Sequence, residues 1–487
     1  MHLTILQVII PIIASMCCFL TKKHQTSWCI ALISTIATFS ISCILLAKIY
    51  TGQIITYHIG NWLPPYGIEL RIDMLNALML IVVNFTVLMS LLYGYYINEQ
   101  EISSNKITGF YSLCLLCVSG LIGILVTNDI FNLYVFLEIV SISSYVLVSM
   151  SRDKNALIAS FEYLISGTIG ATFYLFGIGL LYAITGTLNI SDMSKMLVSL
   201  YDHHIIVLGK VFIFIGLSIK MGLFPLSRWL VNAYSLSPSF ISIFFSGTVT
   251  KVMIYIFIRM FYTISNQNFF SSSFNTMIML LTVFGMIFNS MSAIRSQDIK
   301  RLLAYSSVTH INCIILLLSF NSQLALHIAI LHIINHSISK ISLFMFAGCI
   351  AYKFNTTNLY SLSNLKRSMP YTTILLTILS LSLTGIPFTN GFVSKWYIMQ
   401  VMIEYRAWIV LIMFSLVSFL TVIYVWNMIE KIYFEQNIKL QSNIEKYGEC
   451  DSLPLPMVIC VSFMTILTVI TGIYSNAILL VVQKLVL

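Results

Sequence analysis

Residues 205–236 read IIVLGKVFIFIGLSIKMGLFPLSRWLVNAYSL, an apolar run longer than the roughly 20 residues that carry a helix across a bilayer. Near its middle stand Lys220 and then Gly222-Leu-Phe-Pro225. Proline removes a backbone donor and glycine relaxes the chain, so the run is expected to break there instead of crossing as one rod. Inside hydrocarbon, the backbone groups freed by a break are tolerated only where protein or a polar cavity surrounds them. The run therefore reads as a broken membrane-spanning helix with a lysine at the break.

The same punctuation recurs. Residues 371–402 form a second overlong run, interrupted at Gly385-Ile-Pro387 and followed by Lys395. Pro225 and Pro387 are 162 positions apart, and the stretch from Tyr163 to Asn189 faintly echoes that from His332 to Asn358, 169 positions further on. Five spans fit in that interval, and an odd number of helices per repeat inverts the second copy relative to the first, as in many secondary transporters. Working outward gives spans at 3–20, 28–49, 74–97, 110–127, 130–150, 157–185, 205–236, 239–263, 274–292, 302–320, 323–351, 371–402, 407–433 and 455–485. The expected fold is all-α and polytopic, about fourteen transmembrane helices with two inverted five-helix repeats and two broken helices. Its units are 1–109 (helices 1–3), 110–263 (first repeat), 264–433 (second repeat) and 434–487 (a loop and helix 14).

Composition agrees with lipid as the solvent. Of 487 residues, 58% are hydrophobic and 9% are charged, against about 25% charged in soluble proteins. Strands of a membrane barrel would alternate apolar and polar residues, whereas these runs are continuously apolar. Leu3 to Leu20 is expected as the first span and not as a cleaved signal, because its two lysines, Lys22 and Lys23, follow it. The net charge of +9 is scattered over short loops and implies membrane topology, not a nucleic-acid partner. Alternate loops carry fifteen and seven Lys and Arg residues. Cytoplasmic loops keep the excess, so both termini are expected to be extracytoplasmic.

Four lysines and one glutamate fall well within spans, away from their ends: Glu138, Lys220, Lys251, Lys340 and Lys395. An ionised side chain at mid-span costs about 2.5–3.5 kcal/mol on insertion scales, and such residues usually mark ion or proton pathways. Glu138 and Lys220, on the fifth and seventh spans, are expected to pair, since a buried carboxylate needs a cation to stay ionised. Moving the carboxylate away would then release a proton from the lysine. His332, His336 and Lys340 recur every four residues and so share one helix face, a polar stripe suited to a proton relay. Lys395, if it stood nearer a helix end, would instead snorkel to the interface. No histidines are expected to meet across two helices as a bis-histidine haem would require. Gly177-Ile-Gly179-Leu-Leu-Tyr182 lacks the third glycine of a nucleotide fingerprint. No cofactor and no metal site is expected. Cys17-Cys18 and the Cys114/Cys117 pair lie in apolar helix without a second pair at zinc spacing, and read as packed thiols.

With these residues in place, the chain resembles the antiporter-like subunits shared by multisubunit Na+/H+ (Mrp-type) antiporters and the membrane arm of respiratory complex I. The likeness spans nearly the whole chain. It is carried by Phe131-Asn-Leu-Tyr-Val-Phe-Leu-Glu138, Lys220-Met-Gly-Leu-Phe-Pro-Leu-Ser-Arg-Trp229 and Ser246-Gly-Thr-Val-Thr-Lys251. Further along stand Asp298-Ile-Lys-Arg-Leu-Leu-Ala-Tyr-Ser-Ser307, His336-Ser-Ile-Ser-Lys340 and Gly385-Ile-Pro-Phe-Thr-Asn-Gly391. The resemblance implies a Glu138–Lys220 pair, connecting groups at Lys251, His336 and Lys340, and a terminal half-channel lysine at Lys395. The family often has His where Ser227 stands, so a side-chain role there does not carry over. Gly60 to Asp73 looks like the segment before the third span in the D-type subunits of these antiporters. Implied partners are other subunits of a hetero-oligomeric membrane complex, protons, Na+ or K+, and the lipid bilayer. Two functions follow: a subunit exchanging a monovalent cation for H+, or a proton-pumping, non-redox subunit of an NADH:quinone oxidoreductase.

Overall fold

The computed structural model describes residues 2–199, 203–263, 272–362, 365–433 and 453–484. The 434–452 part of the C-terminal loop, with Lys439 and Lys446, lies outside the described residues.

Two antiparallel-packed helices, α1 (Leu3–Leu20) and α2 (His24–Tyr50), lead into a short hairpin of β1 (Ile55–His58) and β2 (Glu69–Ile72), paired from Ile55↔Ile72 to His58↔Glu69. These strands were not expected from the sequence. Then come α3 (Met74–Glu101), α4 (Ile107–Val126), α5 (Ile130–Ser149), α6 (Asn155–Thr185) and the short α7 (Ile190–Ser199). The quoted run folds as α8 (His204–Met221) and α9 (Arg228–Leu236), and the next as α10 (Ser239–Gly247) and α11 (Val249–Ile258). Next are α12 (Ser272–Arg295), α13 (Ile299–Leu318), α14 (Gln323–Phe354) and the single turn α15 (Leu365–Ser368). The last are α16 (Pro370–Thr384), α17 (Asn390–Glu404), α18 (Trp408–Tyr433), α19 (Leu455–Ile473) and α20 (Ser475–Gln483). Among the described residues, 13 segments are long and apolar enough to cross a membrane. The twelfth expected span is absent from that count because its halves, α16 and α17, have 15 residues each.

Local chemistry sets the ends of these elements. Asp73 caps α3 by accepting from the backbone of Leu75 and Asn76, while the Asn76 side chain accepts from Asp73 N, a reciprocal capping box. At the breaks, Gly222 (φ 72°) and Gly385 (φ 87°) take left-handed conformations that close α8 and α16, which a side chain resists. Both expected breaks are therefore present. A third was not expected: the eighth span divides at Thr248 (φ −122°, ψ −67°), between α10 and α11.

The fold repeats a local device. Asp129 and Asp298 each begin a helix, α5 and α13, by accepting from the amide three residues on, and each bridges to an asparagine, Asn189 or Asn358. All four residues obey one offset of 169 positions, and so do the flanking backbone bonds Ile130 N to Leu188 O and Ile299 N to Thr357 O. The most extensive helix contact is α6 on α8, where glycines face each other. A Cβ on Gly216 would meet the Gly170 carbonyl at 2.6 Å, and one on Gly177 the Gly209 carbonyl at 2.7 Å. Small residues let backbones approach this closely in a membrane, where no hydrophobic effect drives helices together. That contact sets the position of Lys220 at the end of α8.

Candidate functional site

The expected ion pair is assembled at the first break. Glu138 on α5 lies 3.5 Å from Lys220 Nζ, with the lysine side chain 4% exposed and the carboxylate 25%. One turn beyond Glu138, Ser141 Oγ accepts a 2.5 Å hydrogen bond from the same ammonium. Glu138 Oε1 has no hydrogen-bond partner among the described residues. The carboxylate thus stands at the edge of the bundle and the ammonium inside it. Trp229 Nε1 donates to Ile219 O at 2.9 Å, back across the break, and its ring stacks on Tyr163 at 4.2 Å.

The other three lysines have no acidic partner within salt-bridge distance among the described residues; carbonyls and hydroxyls hold them. Lys251, wholly buried on α11, donates to Ser246 O, a carbonyl freed by the division at Thr248, and to Thr250 Oγ1. Ser337 of α14 donates to the next carbonyl, Gly247 O, at 2.8 Å. Lys340 donates to Leu303 O at 3.2 Å and to Ser306 Oγ, both on α13. Lys395 donates to Thr384 O at 3.0 Å, the last carbonyl of α16. Carbonyls at helix C-termini carry partial negative charge and suit an ammonium. In this position Lys395 does not snorkel to an interface.

His332 and His336 are buried on α14 beside Lys340. The expectation that no histidines meet across helices is wrong: His310 on α13 brings Nδ1 to 3.2 Å from His332 Nε2, and its ring centre lies 4.9 Å from that of His336. Among the described residues, no group of three or more His, Cys, Asp or Glu side chains is placed to hold a metal ion. His332 Nδ1 and both ring nitrogens of His336 have no hydrogen-bond partner among the described residues. His310 escaped the sequence reading because it stands alone among Ser306, Ser307, Thr309 and Asn312, in a helix already polar on that side.

A polar knot at the second break also escaped it. Asn390 Oδ1 accepts from Ser339 Oγ (3.0 Å) and Ser382 Oγ (2.8 Å), and Asn335 Nδ2 donates to Ser394 Oγ at 2.9 Å. It joins α14, α16 and α17 where the backbone is interrupted, so the carbonyl that holds Lys395 has a fixed place.

Fold and site together define a polytopic membrane protein with buried basic residues strung between two broken helices. Residues 127–421 match the family described as NADH:quinone oxidoreductase/Mrp antiporter, TM, and the chain belongs to it. It is 36% identical to NADH-quinone oxidoreductase subunit N of Desulforudis audaxviator, over 89% of this chain and 87% of that one. With the D-type Na(+)/H(+) antiporter subunit of Alkalihalophilus pseudofirmus it shares 31% identity over 81% of this chain and 79% of the other. Among solved structures, it resembles a chain of the membrane-bound sulfane sulfur reductase, an archaeal respiratory membrane complex (TM-score 0.91, 27% identity, 99% and 97% covered). A chain of the Mrp complex from Dietzia sp. shares the fold (TM-score 0.89, 20% identity, 99% and 96% covered).

Proposed function

We propose that this chain is a proton- and monovalent-cation-translocating subunit of a multisubunit Na+(K+)/H+ antiporter. Family membership supports the class, and the observation that carries the mechanism is Glu138 3.5 Å from Lys220 beside a helix break. With the carboxylate near, the ammonium is stabilised; with it withdrawn, burial favours the neutral amine and a proton leaves. From Lys220 the path runs by Lys251 to the His332, His336 and Lys340 stripe, and ends at Lys395. His310 joins the stripe through His332. Residues 110–263 and 264–433 act as the two inverted repeats, each contributing one broken helix.

The partners are the other subunits of a hetero-oligomeric complex in the cell's inner membrane, with both termini extracytoplasmic. A reporter active only in the cytoplasm, fused to the C-terminus, should be silent; strong activity would overturn the orientation.

The second reading, a proton-pumping subunit of an NADH:quinone oxidoreductase, is favoured by the 36% identity to subunit N. Everted vesicles containing the whole complex discriminate. Added Na+ or K+ should collapse an imposed proton gradient under the first reading, whereas NADH should build one under the second. The subunits that co-purify with the tagged chain would separate the two readings as well.

A further inference from the structure

Two segments singled out in the sequence, Phe-Pro-Leu-Ser-Arg228 and Asp298-Ile-Lys-Arg301 with Tyr305, have residues for which the ion path gives no reason. The fold brings them to one place. A cavity of about 460 Å³ is lined by Phe224, Arg228, Phe288, Arg301 and Tyr305. A second, of about 400 Å³, shares Arg301 and Tyr305 and adds Arg295 and Asp298. The two form one slot between the first break, α12 and the start of α13.

The slot lies at a membrane surface. Arg295 ends α12 and Arg301 sits in the first turn of α13, and Lys300 Nζ donates to Ser237 O at 3.3 Å, which fixes the end of α9 at the same level. Three guanidinium groups, Arg228, Arg295 and Arg301, meet two carboxylates, Asp298 and Glu162, and leave the slot net positive. Asp298 is occupied by Arg301 N and by the Thr357 hydroxyl, and Glu162 by Arg228 and Asn232. The Arg295 and Arg301 side chains have no hydrogen bond or ion pair to the described residues.

The floor is apolar. Phe224 packs on Phe288, ring centres 5.3 Å apart. From Phe288 an exposed stripe, Phe284, Leu280 and Met277, continues along α12 across the bilayer at helical spacing. Guanidinium groups match phosphate oxygens with paired donors, and basic pockets between membrane helices suit anionic headgroups. A free phosphate would use the arginines and leave the Phe224–Phe288 floor and the stripe idle. We propose that this slot binds an anionic phospholipid, its phosphodiester on Arg295 and Arg301 and an acyl chain along Phe288 and Phe284.

The purified complex, stripped of lipid in a mild detergent, should unfold at a higher temperature when phosphatidylglycerol is added, and not with equal amounts of phosphatidylcholine or inorganic phosphate. Arg301→Gln should weaken that response about tenfold, the effect of one lost charge-assisted hydrogen bond, and Arg295→Gln combined with it should abolish it. A phosphatidylglycerol with a photoreactive acyl chain, used on the unmodified complex, should label the peptide containing Phe284 and Phe288. Equal protection by inorganic phosphate, an unaltered response in the double variant, or labelling confined to other helices would each overturn the assignment.

Discussion

The two broken spans solve one electrostatic problem in opposite ways. At the first, Lys220 precedes the left-handed glycine and answers to a neighbouring helix, through the Glu138 carboxylate and the Ser141 hydroxyl. At the second, Lys395 follows the glycine and answers to its own interrupted span, through Thr384 O. The first balance is a full opposite charge on a side chain that can rotate; the second is a partial charge on a backbone that cannot. Removing one member of a buried ion pair costs about 3–5 kcal/mol, whereas a helix-end dipole contributes about 0.3–1 kcal/mol to a cation near it. The halves should therefore respond very differently to substitution.

The largest effect is expected at the pair. Glu138→Gln keeps the shape without the charge, and Lys220→Arg keeps the charge but hardly ever releases its proton. Both should reduce cation-driven proton movement in vesicles to background at equal abundance of the complex, while Glu138→Asp retains part of it. Normal transport in either of the first two would leave the pair a packing feature. Next comes Lys395→Ala. Since only a backbone dipole loses its partner, assembly should be unchanged while transport falls severalfold; unchanged transport would remove Lys395 from the path. Smallest is Trp229→Phe, which keeps the stacking on Tyr163 and removes one hydrogen bond to Ile219 O, worth about 0.5–1.5 kcal/mol. It should lower the thermal midpoint by a degree or two; a loss as large as that of Glu138→Gln would show that the first break is less rigid than its contacts imply.

The spans were legible because uninterrupted apolar runs carry a strong signal, and two of the breaks because Gly and Pro mark them. The division at Thr248 was not legible: no proline marks it, and Gly247 alone is common in apolar helices. Its cause is tertiary. A Cβ on Gly247 would meet Thr86 Cγ2 at 2.3 Å and Ile341 Cδ1 at 2.8 Å, so the turn is shaped by α3 and α14 pressing on it. Likewise, charged residues stood out against apolar helices, and Glu138 and Lys220 were traceable to the fifth and seventh spans. His310 and the Asn335–Asn390 knot were not, because serine, threonine and asparagine in a helix look like ordinary packing until the facing helix is known. The strands of the hairpin were hidden by Pro64-Pro65 and Trp62, which punctuate its tip instead of its arms.

At the first break the loose ends of α8 are already tied. Leu223 N donates to Ser218 O at 2.9 Å, Gly222 N to Ile219 O at 3.2 Å, and the Trp229 indole to the same Ile219 carbonyl. None of these donors gains or loses a proton during turnover. At the second break the same ties recur, Ile386 N to Leu381 O and Gly385 N to Ser382 O, each at 3.1 Å, and the Thr384 carbonyl is held by Lys395, a group that carries the transported proton in the proposed path. The two discontinuities therefore share one backbone clasp and differ in what touches it: amides around both glycines should exchange with deuterium slowly whatever the load, whereas the vibrational frequency of a 13C-labelled Thr384 carbonyl should shift as Lys395 fills and empties, making that carbonyl the part of the molecule that registers each passage.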